Sequence, residues 1–201
     1  MMMARRLKTP LTEDDARSLE LGETVCLDGV VYTGRDEVHI HSFEYLEKGK
    51  ETPVDFKRAA LFHCGPIMRK LDGDKWEVVA AGPTTSSRMN SLEPEFIEKF
   101  RPGAIIGKGG MSQPTVDAMK KYGCVYLAIT GGAAVLAARG IKSVSGVEWY
   151  ELGMPEAIWI LNAENFGPLT VAIDAKGNSL YSAVNAKVKE NAEGVRKKLG
   201  L

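Results

Sequence analysis

The chain has 201 residues, 44% of them hydrophobic, and its 26 lysine and arginine residues balance 26 aspartate and glutamate residues. A chain of this length can bury a full core, hiding roughly 70% of the surface that it exposes when unfolded, but its balanced charge gives no general attraction to nucleic acid or anionic lipid. Its apolar runs, such as 125–129, fall far short of the ~20 residues of a membrane-spanning helix. We therefore expect one soluble domain over residues 1–201, with a flexible start at residues 1–10, that binds neither nucleic acid nor membranes.

Three cysteines, Cys26, Cys64 and Cys124, stand far apart in the sequence. Their odd number and wide spacing argue against a disulfide framework and indicate a reducing, cytoplasmic compartment. The basic start of the chain has no apolar segment behind it, so it does not predict a secretion signal. Three thiolates could in principle hold an iron-sulfur cluster, but cluster ligands usually include a closely spaced pair. We expect buried structural thiols and no metal bound by this chain alone.

The first half of the chain is predicted to be rich in strands. Two apolar runs, 23–27 and 30–33, flank the dipeptide Asp28-Gly29, which is a strong signal for a β-hairpin. Three further elements are predicted before residue 82: a helix that runs up to Tyr45, a strand at 59–63 and a strand at 76–81.

From residue 93 onward, strands and helices alternate. A helix opens at Pro94, where proline suits the first turn, and the uninterrupted apolar run 125–130 is typical of a strand covered on both faces. The other predicted elements are a strand at 104–106, a helix from about residue 112 to 122, a short alanine-rich helix after Gly131-Gly132, strands at 157–161 and 169–174, and a helix at 183–199. Such alternation indicates βαβ units and a parallel sheet, so the predicted fold class is α/β.

Three loops carry polar residues between glycine or proline residues: 34–36, 82–88 and 107–110. Ligands of open α/β sheets gather at the carboxyl ends of the strands, so we expect these loops to share a site. They offer Arg35, Arg88 and Lys108, together with four hydroxyl groups at 84–87. Arginine binds a carboxylate through two parallel hydrogen bonds, whereas lysine supplies a point charge. The set therefore indicates a site for a small doubly charged anion such as a dicarboxylate.

Other interpretations of these patterns remain open. Cations in glycine-rich loops are often merely solvated, and the hydroxyls after Gly82-Pro83 are also suited to capping the next segment. The 107–110 loop matches neither the P-loop nor the dinucleotide-binding pattern, which makes a nucleotide site a weak hypothesis. A zinc site can be imagined from His39, His41 and His63 with Cys64, but the spacing fits no common zinc pattern.

The same loops resemble the beta subunit, or C-terminal domain, of class I fumarases and tartrate dehydratases. The resemblance covers residues 11–181, and its motifs are 33–36 with His39, then 63–66, 81–89, 106–111, 131–134, 148–149 and 153–157. The resemblance implies a swivelling β/β/α three-layer domain and a hydro-lyase that reversibly hydrates fumarate to L-malate. The alternatives are an L-tartrate dehydratase beta subunit and a non-catalytic module that binds organic anions.

The resemblance also implies roles for single residues. Arg35, Arg88 and Lys108 would bind the substrate carboxylates, and Thr84 would be the proton-transfer hydroxyl, assisted by an acidic residue of a partner. Supporting roles are expected for Asp36, His39, Thr85 and Gly107. In that family a 4Fe-4S cluster is held by three cysteines of the alpha subunit or N-terminal domain, so we expect activity only with such a partner, in a heterotetramer.

Overall fold

A computed structural model describes residues 4–73, 75–132 and 134–200. The strands are β1 (Arg5–Thr9), β2 (Thr24–Thr33), β3 (Ala60–Phe62), β4 (Ile67–Lys70), β5 (Trp76–Ala80), β6 (Ala104–Gly107), β7 (Val125–Ala128), β8 (Ile141–Glu148) and β9 (Ile158–Ile173). The helices are α1 (Glu13–Ser18), α2 (Asp36–Glu47), α3 (Glu93–Phe100), α4 (Gln113–Tyr122), α5 (Ala134–Arg139) and α6 (Leu180–Leu199), and short 3₁₀ helices cover Ser86–Met89 and Tyr150–Leu152. Ala133, part of the 131–134 motif, lies outside the described residues.

The main sheet closes on itself. Its order is β1-β2-β3-β6-β7-β9-β8, and β2 also pairs with β9, so that β2, β3, β6, β7 and β9 form a closed ring. The neighbours from β2 to β7 are parallel, as the alternating pattern predicts, whereas β9 runs antiparallel to both β7 and β2. The fold is therefore mixed α/β with a closed barrel, and β4 and β5 form a separate hairpin.

Both faces of the barrel strands are buried. In β6 and β7, Ile106 and Leu127 join one apolar cluster, which also takes alternate residues of β2, β3 and β9. Ile105 and Tyr126 join a second cluster, with residues of α2, α3 and α4. This double burial is the reason that the predicted strands read as continuous apolar runs without an alternation of polar residues. The predicted helices up to Tyr45, at Pro94 and before Gly123 are confirmed as α2, α3 and α4.

The predicted hairpin at Asp28-Gly29 is wrong. Strand β2 continues through this dipeptide, because β1 pairs with it on one side and β9 on the other. Asp28 accepts hydrogen bonds from Arg6 and from the backbone of Asn165. Gly29 has φ +106°, and a Cβ there would lie 2.7 Å from the carbonyl oxygen of Thr9. Glycine is thus needed for a close approach of two strands, not for a turn.

Two further expectations are corrected by strand pairing. Residues 5–9, expected to be flexible, form β1 and pair in parallel with β2, and Leu7 and Thr9 are buried there. Residues 1–3 lie outside the described part of the chain. The two strands predicted at 157–161 and 169–174 are one strand, β9, which is long enough to pair with β2, β7 and β8. None of the helices in the described ranges combines the length and apolar character needed to cross a bilayer.

Candidate functional site

The carboxyl ends of β2, β3 and β6 lie at one edge of the barrel. Thr33 pairs with Phe62, and Phe62 pairs with Ile106, so the loops that follow these strands start side by side. We call this edge the loop end, made of residues 34–36, 63–66, 82–88 and 107–110. It contains all three cation-bearing loops that the sequence singled out.

Arg35 lies at the N-terminus of α2 and is held by a carboxylate. Its Nη2 lies 3.0 Å from Oε1 of Glu156, and the other oxygen of Glu156 accepts the backbone N–H of Glu37 at 3.4 Å. A Cβ at Gly65 would lie 2.5 Å from Nη1 of Arg35, so glycine makes room for the guanidinium there. The Nε of Arg35 is buried and has no hydrogen-bond acceptor among the described residues. This arginine therefore keeps one unused donor in a mostly buried environment.

Arg88 reaches the same loop. Its Nη2 lies 2.8 Å from Oδ2 of Asp36, and about half of the Arg88 side chain is exposed. Asp36 directly follows Arg35, so this ion pair brings the loop of Arg88 against the start of α2. We call Arg35, Asp36 and Arg88 a connected set in this sense: Asp36 pairs with Arg88 and follows Arg35 in the chain, while the guanidinium of Arg35 pairs with Glu156.

Backbone contacts join the segment of Thr84 and Thr85 to Lys108. The N–H of Thr84 donates to the carbonyl of His63 at 2.6 Å, and the N–H of Lys108 donates to the carbonyl of Thr84 at 3.4 Å. Thr85 and Lys108 form an isolated parallel bridge, while a Cβ at Gly131 would lie 3.4 Å from Cδ of Lys108. The segment 84–88 therefore lies between the loops of His63 and Lys108. That Lys108 shares an anion with the two arginines stays a prediction.

Gly107 is needed for the packing of this segment. A Cβ there would overlap Oγ of Ser86 and lie 3.0 Å from the hydroxyl of Tyr126. Ser86 also donates its backbone N–H to the carbonyl of Lys108 at 3.0 Å. The supporting role expected for Gly107 is thus consistent with its contacts, which fix how closely the loops approach each other.

A fully buried cluster lies at the base of the loop end. Nε2 of His39 and Nε2 of His63 lie 3.2 Å and 3.0 Å from the same oxygen, Oε2 of Glu93. The three ligating atoms lie within 4.8 Å of one another, close enough in principle to hold a metal ion. The imagined zinc site had a different membership. His41 lies outside this cluster, packs against Tyr45 and Trp149 and lies 3.3 Å from Glu44.

Glu93 gave no functional signal in the sequence, because an acidic residue before Pro94 is ordinary in the first turn of a helix. Burial by itself raises the pKa of Glu93, but attraction to His63 and His39 and the hydrogen bond with His39 outweigh burial and lower it to about 2. Burial likewise opposes the charged form of His39, yet attraction to Glu93 and the hydrogen bond to it leave the pKa of His39 raised. Both shifts favour the charged forms, a carboxylate on Glu93 and an imidazolium on His39.

The three cysteines do not fit an iron-sulfur cluster within this chain. Cys64 follows the carboxyl end of β3, whereas Cys124 precedes the amino end of β7, and these strands run parallel to each other through β6. The two thiols therefore lie at opposite ends of the barrel. All three cysteines are buried and free, and burial raises the pKa values of Cys64 and Cys124, which disfavours the thiolate that a cluster needs.

Comparisons with known proteins match almost the whole chain. The model of the family described as Fumarase C-terminus matches residues 2–184. A protein of Methanocaldococcus jannaschii, provisionally named L(+)-tartrate dehydratase subunit beta, is 48% identical over 181 residues, which cover 90% of this chain and 92% of that protein. The L(+)-tartrate dehydratase subunit beta of Escherichia coli K12 is 42% identical over 180 residues, or 90% of this chain and 88% of that subunit.

A third relative is much longer. A protein of Geobacillus stearothermophilus, provisionally named fumarate hydratase class I, is 42% identical over 178 residues, which cover 89% of this chain but only 34% of that protein. This chain is thus similar both to whole subunits and to one part of a longer polypeptide.

Proposed function

The chain belongs to the Fumarase C-terminus family, and from that premise we propose that it is the substrate-binding beta subunit of a 4Fe-4S-dependent hydro-lyase that reversibly hydrates fumarate to L-malate. Its relatives bear the names of hydratase and dehydratase proteins, which supports the hydro-lyase class. The observation that carries the proposal is the connected set of Arg35, Asp36 and Arg88 at the loop end.

The chemistry divides naturally between two polypeptides. Loss of the hydroxyl of malate needs a Lewis acid, and this is what a 4Fe-4S cluster on an alpha subunit would supply, since the cysteines of this chain do not fit one. The proton on the neighbouring carbon is weakly acidic and needs a positioned acceptor. This chain would supply the clamp for the carboxylates and the group that moves the proton.

Two features of Arg35 support a role in binding a substrate carboxylate. Glu156 occupies one of its donors and also accepts a backbone N–H at the start of α2. The buried Nε donor of Arg35 still lacks a partner among the described residues, and a buried donor left without an acceptor costs about 1–3 kcal/mol. A substrate carboxylate would satisfy that donor. Arg88, which is half exposed, would bind from the solvent side and Lys108 would add a third positive charge.

Thr84 would move the proton. Its side chain is partly exposed, and its backbone is fixed by the 2.6 Å hydrogen bond to His63. A threonine hydroxyl is a poor base at its ordinary pKa and needs a neighbouring acceptor. We assign that acceptor to an acidic residue of the partner subunit.

The proposal extends to the assembly. The alpha subunit would complete the site by covering the loop end, in a cytoplasmic heterotetramer in which this chain behaves as a swivelling β/β/α three-layer domain. The names of two relatives as beta subunits support the existence of such a partner.

The second candidate is L-tartrate dehydratase, because two of the relatives carry that name. Tartrate differs from malate by one hydroxyl, and the exposed hydroxyls of Thr85 and Ser87 lie on the segment that would meet it. A site that hydrogen-bonds a substrate hydroxyl can reject an analogue without it by about 10⁴-fold, so the two activities are separable by assay. A non-catalytic anion-binding module is the third candidate.

The test is co-expression with a partner that carries the three cluster cysteines, under anaerobic conditions, followed by assays on fumarate, L-malate and L-tartrate. We expect Arg88→Ala to lower kcat by about 10²-fold or more, the usual loss for a donor that stabilises developing charge. Lys108→Met should abolish protection of the complex by substrate. Arg69→Ala is the matched control, since Arg69 is an exposed arginine on the β4–β5 hairpin that is also paired with a carboxylate.

Three outcomes would contradict the proposal. Normal kinetics in Arg88→Ala would remove that residue from the site. An assembled complex that binds fumarate without turning it over would favour the anion-binding module, and turnover of tartrate alone would favour the second candidate.

A further inference from the structure

The protonation states of the buried cluster follow from its hydrogen bonds. Nδ1 of His39 lies 2.6 Å from the carbonyl oxygen of Arg35. A carbonyl oxygen only accepts hydrogen bonds, so Nδ1 of His39 must carry a proton. Nε2 of the same ring is hydrogen-bonded at 3.2 Å to Oε2 of Glu93, and this oxygen is an acceptor because the lowered pKa of Glu93 keeps the carboxyl ionised. Because a lone pair on Nε2 would face that oxygen, Nε2 must carry a proton too. His39 is therefore an imidazolium.

His63, in contrast to His39, carries a proton on only one ring nitrogen. Tyr126 donates its hydroxyl to Oγ of Ser86 at 2.9 Å. Among the described residues, the hydroxyl proton of Ser86 then has one acceptor, Nδ1 of His63 at 2.9 Å. Nδ1 of His63 is thus an acceptor, and the ring proton lies on Nε2. This atom is 3.0 Å from Oε2 of Glu93 but outside hydrogen-bonding geometry, so the contact between His63 and the carboxylate is electrostatic. His63 is a neutral ring, so the cluster holds one positive and one negative charge.

The cluster connects the loops that would bind the substrate. His39 holds the backbone of Arg35. His63 receives the N–H of Thr84 on its carbonyl oxygen and the hydroxyl of Ser86 on its ring. Glu93 is the group that both rings share. Without Glu93, His39 would still contact the loop of Arg35 and His63 would still contact the loop of Thr84, but the cluster would no longer join the two histidines.

We propose that His39, Glu93 and His63 are positioning residues for the substrate clamp, in which a buried carboxylate joins an imidazolium to a neutral ring and so fixes the spacing between Arg35 and the segment of Thr84 and Arg88. The functional part of this inference rests on the proposed hydro-lyase function, whereas the protonation pattern does not. A metal ion held by the same three side chains is the alternative. The protons are favoured because Nε2 of His39 is hydrogen-bonded directly to the carboxylate.

The first experiment tests the protonation pattern on the isolated chain. Nitrogen NMR of the histidine rings at neutral pH should show both nitrogens of His39 protonated and only Nε2 of His63 protonated. A neutral His39, or stoichiometric zinc or iron in the purified chain by elemental analysis, would overturn the inference. This measurement needs neither the partner nor any activity.

The second experiment separates positioning from stability in the assembled complex. Glu93→Ala should lower kcat/KM by on the order of 10²-fold, since a shift of about 1 Å in a catalytic group has effects of that size, and should weaken the binding of succinate, a saturated diacid that cannot react. Glu93→Gln should recover most of both, because an amide oxygen in the place of Oε2 can still face the N–H groups of both rings as an acceptor.

The control for stability is Arg58→Ala. Arg58 donates to the backbone carbonyls of Gly123 and Tyr122 at the amino end of β7, away from the loop end. The Arg58→Ala variant should have a lower melting temperature but an unchanged KM and succinate affinity. Equal losses of affinity in Arg58→Ala and Glu93→Ala, or normal succinate affinity in Glu93→Ala, would refute positioning. If the wild-type complex binds succinate but does not hydrate fumarate, the proposed function fails and the succinate measurements still decide about the cluster.

Discussion

The loop end of the barrel and helix α6 are held in different ways. At the loop end and in the buried cluster at its base, residues far apart in the chain contact one another. The hydrogen bond between His39 and Glu93, 54 positions apart, is an example. In α6, the apolar residues Val184, Val188, Val195 and Leu199 are more than half exposed, and the family match ends at residue 184. We infer that a change at the loop end alters its whole network, whereas a change in α6 stays local.

The largest effect is expected at Thr84. Thr84→Val keeps the shape of the side chain and removes its hydroxyl, so kcat of the assembled enzyme should fall by about 10²- to 10⁴-fold, the range of acid-base contributions. Steady-state kinetics in the hydration direction would measure this. Ser87→Ala, on the same segment and exposed, is the control and should stay within a few fold. Equal losses in both variants would mean that the segment, and not the Thr84 hydroxyl, is what matters.

A glycine pair tests the comparison directly. Gly107→Ala places a methyl group on Ser86, and such overpacking should cost about 1–3 kcal/mol of the free energy of unfolding and weaken succinate binding. In α6, a Cβ at Gly194 would meet no atom within 4 Å. Gly194→Ala should raise helix content, with a local gain of about 1 kcal/mol, and leave succinate binding unchanged.

Denaturant unfolding and circular dichroism of the two variants would measure these changes. An unchanged stability in Gly107→Ala would show that the loop end can rearrange. A change of diacid binding in Gly194→Ala would show that α6 is coupled to the site.

The smallest effect is a dependence of stability on pH. The pKa of Glu93 is lowered from 4.5 to about 2, so its contribution is present above about pH 4.5 and is lost as pH falls toward 2. The pKa of His39 is raised above 6.5, so its contribution is present below pH 6.5 and is lost as pH rises through the raised value.

The stability advantage of the wild type over Glu93→Gln should therefore be greatest between about pH 4.5 and 6.5 and shrink on both sides. We expect a maximum on the order of 1–3 kcal/mol, as for a buried hydrogen-bonded charge. Urea unfolding at several pH values would measure it. An advantage that does not vary with pH would mean that the pair is not ionised in the folded protein.

The site was predictable from sequence in part. Arg35, Arg88, Thr84 and Lys108 stand in loops whose glycines and prolines mark them locally, and each loop follows an apolar run or a strand signal. The structure places the loops of Arg35 and Lys108 at one edge because β2, β3 and β6 are parallel neighbours. The segment of Thr84 and Arg88 follows the β4–β5 hairpin and is held at that edge by backbone hydrogen bonds to the loops of His63 and Lys108. Glu93 was not predictable, since its partners come from α2 and β3, and no local pattern distinguishes it from an ordinary acidic residue at a helix start.

The sequence by itself determined the elements with local causes. Buried strands such as β7 follow from continuous apolar runs, and α4 begins at a proline in its first turn and ends at Gly123, which has φ +67°, a conformation that glycine adopts without strain. These signals involve residues that are close together in the chain, so they predict the element without knowledge of its tertiary contacts.

Only the tertiary structure decided the closure of the barrel and the buried charge pair. Strand β2 passes through Asp28-Gly29 because β1 and β9 satisfy its backbone from both sides, and a propensity for a turn is weaker than a set of ladder hydrogen bonds. Glu93 stays ionised because His39 and His63 surround it after folding. Both outcomes depend on contacts between distant segments, whose energies exist only once the chain has folded.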